Sequence, residues 1–104
     1  SIDHHFYIIE ILAVNNSPLA AGVVRLEKII ADKYLISIFI DPEHYQKDLG
    51  VTALAFIDHI HPDYQIHATV LPENLASHKL FAKAGYKKVD ELHYLRNINN
   101  ESKI

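Results

Sequence analysis

Eight histidines in 104 residues raise the question of a bound metal before any other chemistry. His4 and His5 are adjacent, and His59 and His61 stand two apart on a predicted helix, where residues two apart do not share a face. No His-x3-His spacing or His/Asp/Glu cluster with coordinating geometry is present, so no metal site is expected and the histidines read as solvated surface groups. The lack of cysteine removes disulfides, thiolate ligands and a cysteine nucleophile. His67 is the best proton-transfer candidate: it falls on a predicted strand just ahead of a helix, and imidazole titrates near neutral pH. The competing reading is a lone strand histidine held by a structural hydrogen bond. A Ser37/His67/Asp41 hydrolase is formally available, but no nucleophile-elbow pattern surrounds any serine.

The elements that must position these residues follow from periodicity and turn chemistry. Residues 6–14 are a nearly unbroken apolar, β-branched run ended by Asn15-Asn16-Ser17-Pro18, which reads as a strand and hairpin turn. Residues 23–29 and 34–40 read as two further antiparallel strands around Ala31-Asp32-Lys33, and Asp41-Pro42 ends the second. Apolar residues at 49, 53, 56, 57 and 60 give a helix over 49–61 closed by Pro62. Residues 65–71 form another strand. Asn74 then supplies an N-cap, Ala76, Leu80, Phe81 and Ala84 an apolar stripe, and Gly85 a left-handed stop. Residues 87–95 carry one or two terminal strands, and residues 97–104 form a polar tail expected to fray. This order makes residues 1–96 one mixed α/β domain with no internal repeat and no linker.

The run Asn74-Leu75-Ala76-Ser77-His78-Lys79-Leu80-Phe81-Ala82-Lys83-Ala84-Gly85-Tyr86 resembles the closing segment of the GNAT superfamily, the acetyl-CoA-dependent N-acyltransferases. That family carries Asn-x-x-Ser/Ala-x-x-Leu-Tyr/Phe-x-Lys-x-Gly-Phe/Tyr there. The resemblance covers residues 6–95 and implies a central, mostly antiparallel sheet with two main helices. Family members normally begin with a further strand and two helices that help form the acceptor side of the cleft. Because the chain contains no methionine, Ser1 is not an untouched translation start, and a chain processed or cut from something longer is expected.

The resemblance also implies a site. Between residues 40 and 49 the family places Val-x-Pro-x-x-Arg/Gln-x-x-Gly-x-Gly/Ala, a loop whose backbone N–H groups face the coenzyme pyrophosphate at a helix N-terminus. Counted from Pro42, Tyr45 stands at the Arg/Gln position, Asp48 at the first glycine and Gly50 at the second. A frame shifted by one brings Gln46 to the Arg/Gln position and leaves Leu49 and Val51 at the small-residue sites. Asp48 should repel a pyrophosphate unless it turns outward or Lys47 compensates, and a simple helix-capping role accounts for it equally well. Gln46, Lys47, Leu49, Gly50, Val51, Asn74, Ser77 and Phe81 are therefore the implied coenzyme contacts. Phe39 and Ile40 join them, at the strand end where the family pairs the pantetheine arm with free backbone groups.

For catalysis, an amine must be deprotonated and a thiolate protonated. Phe81 occupies the place of the tyrosine acid used by many relatives and has no proton to give, so Tyr86, Tyr45 and His78 are the substitutes. The strand before Pro42 holds no carboxylate, which leaves Glu10, Glu27 and His67 as bases. His67 and Tyr86 are the candidate pair. The expected reaction is acetyl transfer from acetyl-CoA to a small-molecule primary amine. The run Gly22-Val23-Val24-Arg25-Leu26 with Ile36-Ser37-Ile38 is similar to the amino-sugar branch. The alternative is a catalytically degenerate module that binds coenzyme A or serves oligomerisation, and a homodimer is compatible with either.

Composition narrows the partners. A formal charge of −3 and scattered lysines give no basic surface for nucleic acid. No apolar run reaches the ~18–20 residues of a membrane helix and no signal peptide pattern opens the chain, so a cytoplasmic location is expected.

Overall fold

The computed structural model describes residues 4–12 and 18–97, with only the backbone described at 11, 12 and 45–47. The elements run β1 (His4–Leu12), β2 (Pro18–Ile30), β3 (Lys33–Ile40), a 3-10 turn (Pro42–Lys47), α1 (Leu49–Ile60), β4 (Gln65–Thr69), α2 (Leu75–Lys83), β5 (Lys87–Lys88) and β6 (His93–Arg96). They form one six-stranded sheet in the order β1-β2-β3-β4-β6-β5, antiparallel throughout except for the pair β3·β4. The mixed α/β fold expected from the element order is the one observed. Of the hairpin turn expected at residues 15–18, residues 15–17 lie outside the described residues and Pro18 opens β2; the polar tail from residue 98 onward also lies outside them. No described helix is long and apolar enough to cross a membrane.

The alternation of the strands decides where the helices go. Val24, Leu26, Tyr34, Ile36, Ile66, Ala68 and Tyr94 point to one face, where they meet Leu54 and Ile57 of α1 and Phe81 of α2 in a single core. Both helices therefore cover the same face. Burying these apolar side chains, at roughly 25 cal/mol per Å² removed from water, is what holds helices to sheet. The opposite face carries Phe6, Ile8 and Phe39 in the open, at 64%, 60% and 58% exposure.

Helix α2 shows how local sequence fixes an element. The Asn74 side chain accepts from the Ser77 N–H at 3.2 Å, so the predicted cap is present. At the other end Tyr86 N–H donates to Phe81 O and Gly85 N–H to Ala82 O, with Gly85 at φ +92. That is the Schellman closure, which uses glycine because its φ is positive. Asn74→Ala should lower stability by about 1 kcal/mol, read from a urea melt. A loss below ~0.3 kcal/mol would show that the cap is dispensable.

Arg96 fastens the far end of the sheet to α1. Its guanidinium donates to Asp58 Oδ1 at 2.6 Å, to the His61 carbonyl at 2.5 Å and to the Tyr64 carbonyl at 2.7 Å, which ties β6 to the last turn of α1 and the loop after it. Only a planar fork of donors reaches all three.

Candidate active site

The single parallel pair creates the cleft. β3 and β4 are in register only at Lys33↔Gln65, Tyr34↔Ile66 and Leu35↔His67. Beyond that point β3 continues to Ile40 and β4 turns away to pair with β6, so no strand in the described residues pairs with this edge of β3 after Leu35. Backbone N–H and C=O groups facing such a gap must find partners elsewhere, which makes the edge a template for an extended amide-bearing ligand. A cleft of about 470 Å³ opens along it.

Three elements enclose that space. Ile38, Phe39 and Ile40 form the β3 wall, Asp48, Gly50 and Val51 bring the first turn of α1, and α2 presents Asn74, Ser77, Lys79, Leu80 and Lys83. The first intrahelical bond of α1 runs from Thr52 N–H to Asp48 O, so the N–H groups of the preceding positions point out of the helix N-terminus. Together with the start of α2 they give the cleft a positive, donor-rich end suited to a phosphate. Gly50 fits this end for a packing reason as well. A Cβ there would come within 2.8 Å of Leu80 Cδ1, so glycine lets α1 and α2 approach closely.

Asp48 does not cap α1 with its side chain, and a lysine other than Lys47 pairs with it. It precedes α1 but makes no side-chain capping bond, and its backbone is left-handed, φ 54 and ψ 28. The simple capping role is thereby corrected: a left-handed backbone turns its carboxylate away from the helix amides and toward α2. There Lys83 Nζ donates to Asp48 Oδ1 at 3.3 Å, doing the neutralising task foreseen for Lys47. The pair is exposed, 63% and 69%, so it is worth at most ~1 kcal/mol and yields readily to a competing anion.

Of the coenzyme contacts implied by the sequence, Phe39, Ile40, Gly50, Val51, Asn74 and Ser77 line the cleft. Leu49 lies instead on a separate groove between β1 and α1. The side chains of Gln46 and Lys47 lie outside the described residues. Phe81, 3% exposed, stacks on Tyr94 and meets Tyr86 edge-on inside the core, and is not part of the lining. Sequence reasoning passed over Lys79 as a lining residue and saw Lys83 only as a motif position. Their spacing of four on α2, which sets both on one face, was the available signal.

The two proposed catalytic residues are not brought together. His67 points to the sheet face opposite Ile66 and Ala68, away from the helices, where its Nε2 meets Gln65 Oε1 at 2.9 Å. Burial first, then Lys33 and His93, holds it below the ordinary histidine range, so it is neutral at physiological pH but not in the cleft lining. Tyr86 is 5% exposed, its hydroxyl is buried without a partner, and burial raises its pKa. Its ring sits 5.1 Å from that of Phe81 as the hydrophobic contact of the Schellman closure. Glu10 is exposed on β1 and Glu27 faces His4 at 3.6 Å, so neither replaces them. Ser37 is exposed, and Asp41 accepts from Glu43 N–H at 3.1 Å as the cap of the 3-10 turn. The hydrolase constellation is not assembled.

Several histidines are structural and not merely solvated, contrary to expectation. His61 Nε2 is 2.7 Å from the Tyr7 hydroxyl and its ring stacks 4.3 Å from Tyr64. His78 bridges the Tyr94 hydroxyl and the Leu71 carbonyl. Among the described residues no group of three or more His, Asp or Glu side chains is placed to hold a metal.

No protein-family model and no curated protein matches the chain. Solved structures do. A domain from Methanocaldococcus jannaschii superposes with a TM-score of 0.72 at 25% identity, over 93% of this chain and 68% of that one. Mutant forms of the spermidine/spermine N-acetyltransferase SpeG from Vibrio cholerae give 0.66 at 20% identity, over 91% and 65%. RimJ from Mycobacterium smegmatis, solved in complex with CoA-disulfide, gives 0.63 at 20% identity, over 74% and 46%. The chain thus spans about two thirds or less of these structures. None of the three is described as acting on an amino-sugar, so the expected amino-sugar branch finds no support. What the superpositions establish is architecture: the sheet, the two helices and their order are those of GNAT-family acetyltransferases.

Proposed function

We propose that the cleft binds acetyl-CoA and that the chain takes part in acetyl transfer to a primary amine. The observation that carries this reading is the parting of β3 from β4 next to the N-terminus of α1. The free β3 edge over residues 36–40 would hold the amide-bearing pantetheine arm as an added strand. The amides at the start of α1, with Lys83 and Lys79, would hold the phosphates. The coenzyme supplies a thioester carbonyl open to attack by an amine. The residues named here bind and orient it, and such positioning alone can be worth several kcal/mol of barrier. SpeG, an N-acetyltransferase of spermidine and spermine, makes a small polyamine the first acceptor to try.

Calorimetry with acetyl-CoA tests the binding half. Asp48→Gly removes a negative charge from the phosphate end, frees Lys83 and relieves a left-handed non-glycine backbone. Affinity should rise by about 1 kcal/mol, roughly fivefold. Lys83→Glu should lower it by roughly tenfold or more, and both effects should shrink in high salt. Equal affinity of all three proteins would place the phosphates elsewhere.

A second reading rests on the same lining. Its titratable side chains among the described residues are Asp48, Lys79 and Lys83, with no histidine, glutamate or tyrosine to move a proton. A module that binds coenzyme A without turnover fits that inventory. Release of free thiol from acetyl-CoA in the presence of spermidine separates the two. Thiol release that depends on amine supports transfer, and tight binding with none supports the module.

A further inference from the structure

The cleft lining offers an amine no proton acceptor, but the gap between β3 and β4 has two sides. A thioester held between the parted strands can also be met from the sheet face opposite α1 and α2. Counted on past the last pair, Leu35↔His67, Ser37 and Thr69 stand level on the two sides of the gap, and Thr69 pairs with His93 of β6. Tyr94 lies in the core, so His93 next to it points to the opposite face. His67 shares that face as its diagonal neighbour, near enough that a charge on His93 disfavours one on His67.

His93 is held as a base must be. Its Nδ1 lies 2.7 and 2.9 Å from the two carboxylate oxygens of Asp90. A carboxylate only accepts, so in the neutral imidazole the hydrogen sits on Nδ1 and the lone pair on Nε2. Nε2 has no partner among the described residues. Asp90 is fixed in turn, accepting from Leu92 N–H at 2.8 Å. That amide first, then His93, holds the Asp90 carboxyl below the ordinary carboxylate range, so it is ionised at physiological pH.

We propose that His93 is the general base for the acyl transfer proposed above, on which this role depends, and that Asp90 is its positioning residue. The acceptor's ammonium group gives one proton to Nε2, directly or through one water, and its nitrogen then attacks the thioester carbon. The C–N bond forms and the C–S bond breaks. The second proton leaves the nitrogen for the departing thiolate, and His93 returns its own to solvent. The ionisable groups around this imidazole are Asp90 and Glu91 of the same hairpin, His67 of β4, and Lys87 of β5, two positions from Val89, whose N–H donates to His93 O.

Thiol release from acetyl-CoA with spermidine tests the role in His93→Gln and Asp90→Asn, with calorimetry beside it. Both residues are exposed and outside the cleft lining, so both variants should bind acetyl-CoA as the wild type does, which also shows them folded. Near pH 7 His93→Gln should lower kcat roughly 100-fold and Asp90→Asn roughly tenfold. Both deficits should shrink as the pH approaches about 10, where an alkylamine sheds its proton unaided. Added imidazole should restore part of the His93→Gln rate. A deficit equal at every pH and without rescue overturns the proposal, because a structural contact behaves that way. In proton NMR of the chain saturated with coenzyme A, spermidine should move the His93 imidazole signal, identified by its loss in His93→Gln, and an unmoved signal overturns it too. Amine-dependent release indifferent to both variants overturns this role alone, whereas a wild-type chain that releases no thiol overturns the transfer reading with it.

Discussion

Replacing Gly22 with alanine is expected to destabilise the protein by about 3 kcal/mol, at the upper end of what overpacking costs. Gly22 sits on β2 opposite Ile40, and its backbone dihedrals are ordinary, so conformational freedom is not the reason for glycine. Proximity is. A Cβ built at this position would press on the Phe39 carbonyl oxygen and stand 3.2 Å from Ile40 Cα, both backbone atoms that cannot rotate aside. The methyl can be fitted only by pushing the end of β3 away from β2, and that end is the wall of the cleft. Gly22→Ala should therefore weaken acetyl-CoA binding even at temperatures where the variant is folded. A urea melt reads the first effect and calorimetry the second. A stability loss under ~1 kcal/mol would mean that β2 and β3 relax freely here, and the tight register assigned to them would be wrong.

The second large effect is expected at Arg96. Arg96→Leu keeps the apolar stem and removes the fork, which leaves the carbonyls of His61 and Tyr64 and the Asp58 carboxylate without their donor. Asp58 is 38% exposed and recovers some hydration, so the ion pair itself contributes modestly. The two part-buried carbonyls matter more. An unsatisfied buried acceptor costs about 1–3 kcal/mol, and a total near 3 kcal/mol is expected. Arg96→Lys should recover only a minor part, because one ammonium cannot span three acceptors in a plane. Full recovery by lysine would show that charge, not the fork, is what the site requires.

Sequence made local features legible and hid the distant ones, for a physical reason in each case. The Asn74 cap and the Gly85 stop are set by residues within a few positions of one another, so the boundaries of α2 could be read directly. The bounds of α1 were similarly marked by its apolar spacing and Pro62. The parting of β3 from β4 is a backbone event, and backbone recognition leaves little mark on side-chain identity. Lys83 and Asp48 meet from different helices, 35 positions apart, and no periodicity reports such a contact. The short 3-10 turn over Pro42–Lys47 also escaped, because its cap, Asp41, reads equally well as a strand-ending turn. His67 and Tyr86 failed where signals did exist. Apolar Ile66 and Ala68 alternate with His67 and fix its direction outward, while the position of Tyr86 just after the Gly85 stop is one that packs back on its own helix.

The lone parallel pair also bears on kinetics. β1, β2 and β3 follow one another as antiparallel neighbours, contacts close in sequence that form at small loop-closure cost. β3 can reach β4 only after the 3-10 turn and α1 have been laid across the sheet. The meander is therefore expected to be formed in the folding transition state and the cleft to close afterwards. In stopped-flow experiments Leu26→Ala, in the buried centre of β2, should chiefly slow folding, whereas Ile66→Val, on β4, should chiefly speed unfolding. Equal slowing of folding by both would place β4 in the nucleus. If the cleft closes last, a molecule that fills it acts as a brake on opening: it lengthens the life of the native state and leaves the speed of reaching that state unchanged.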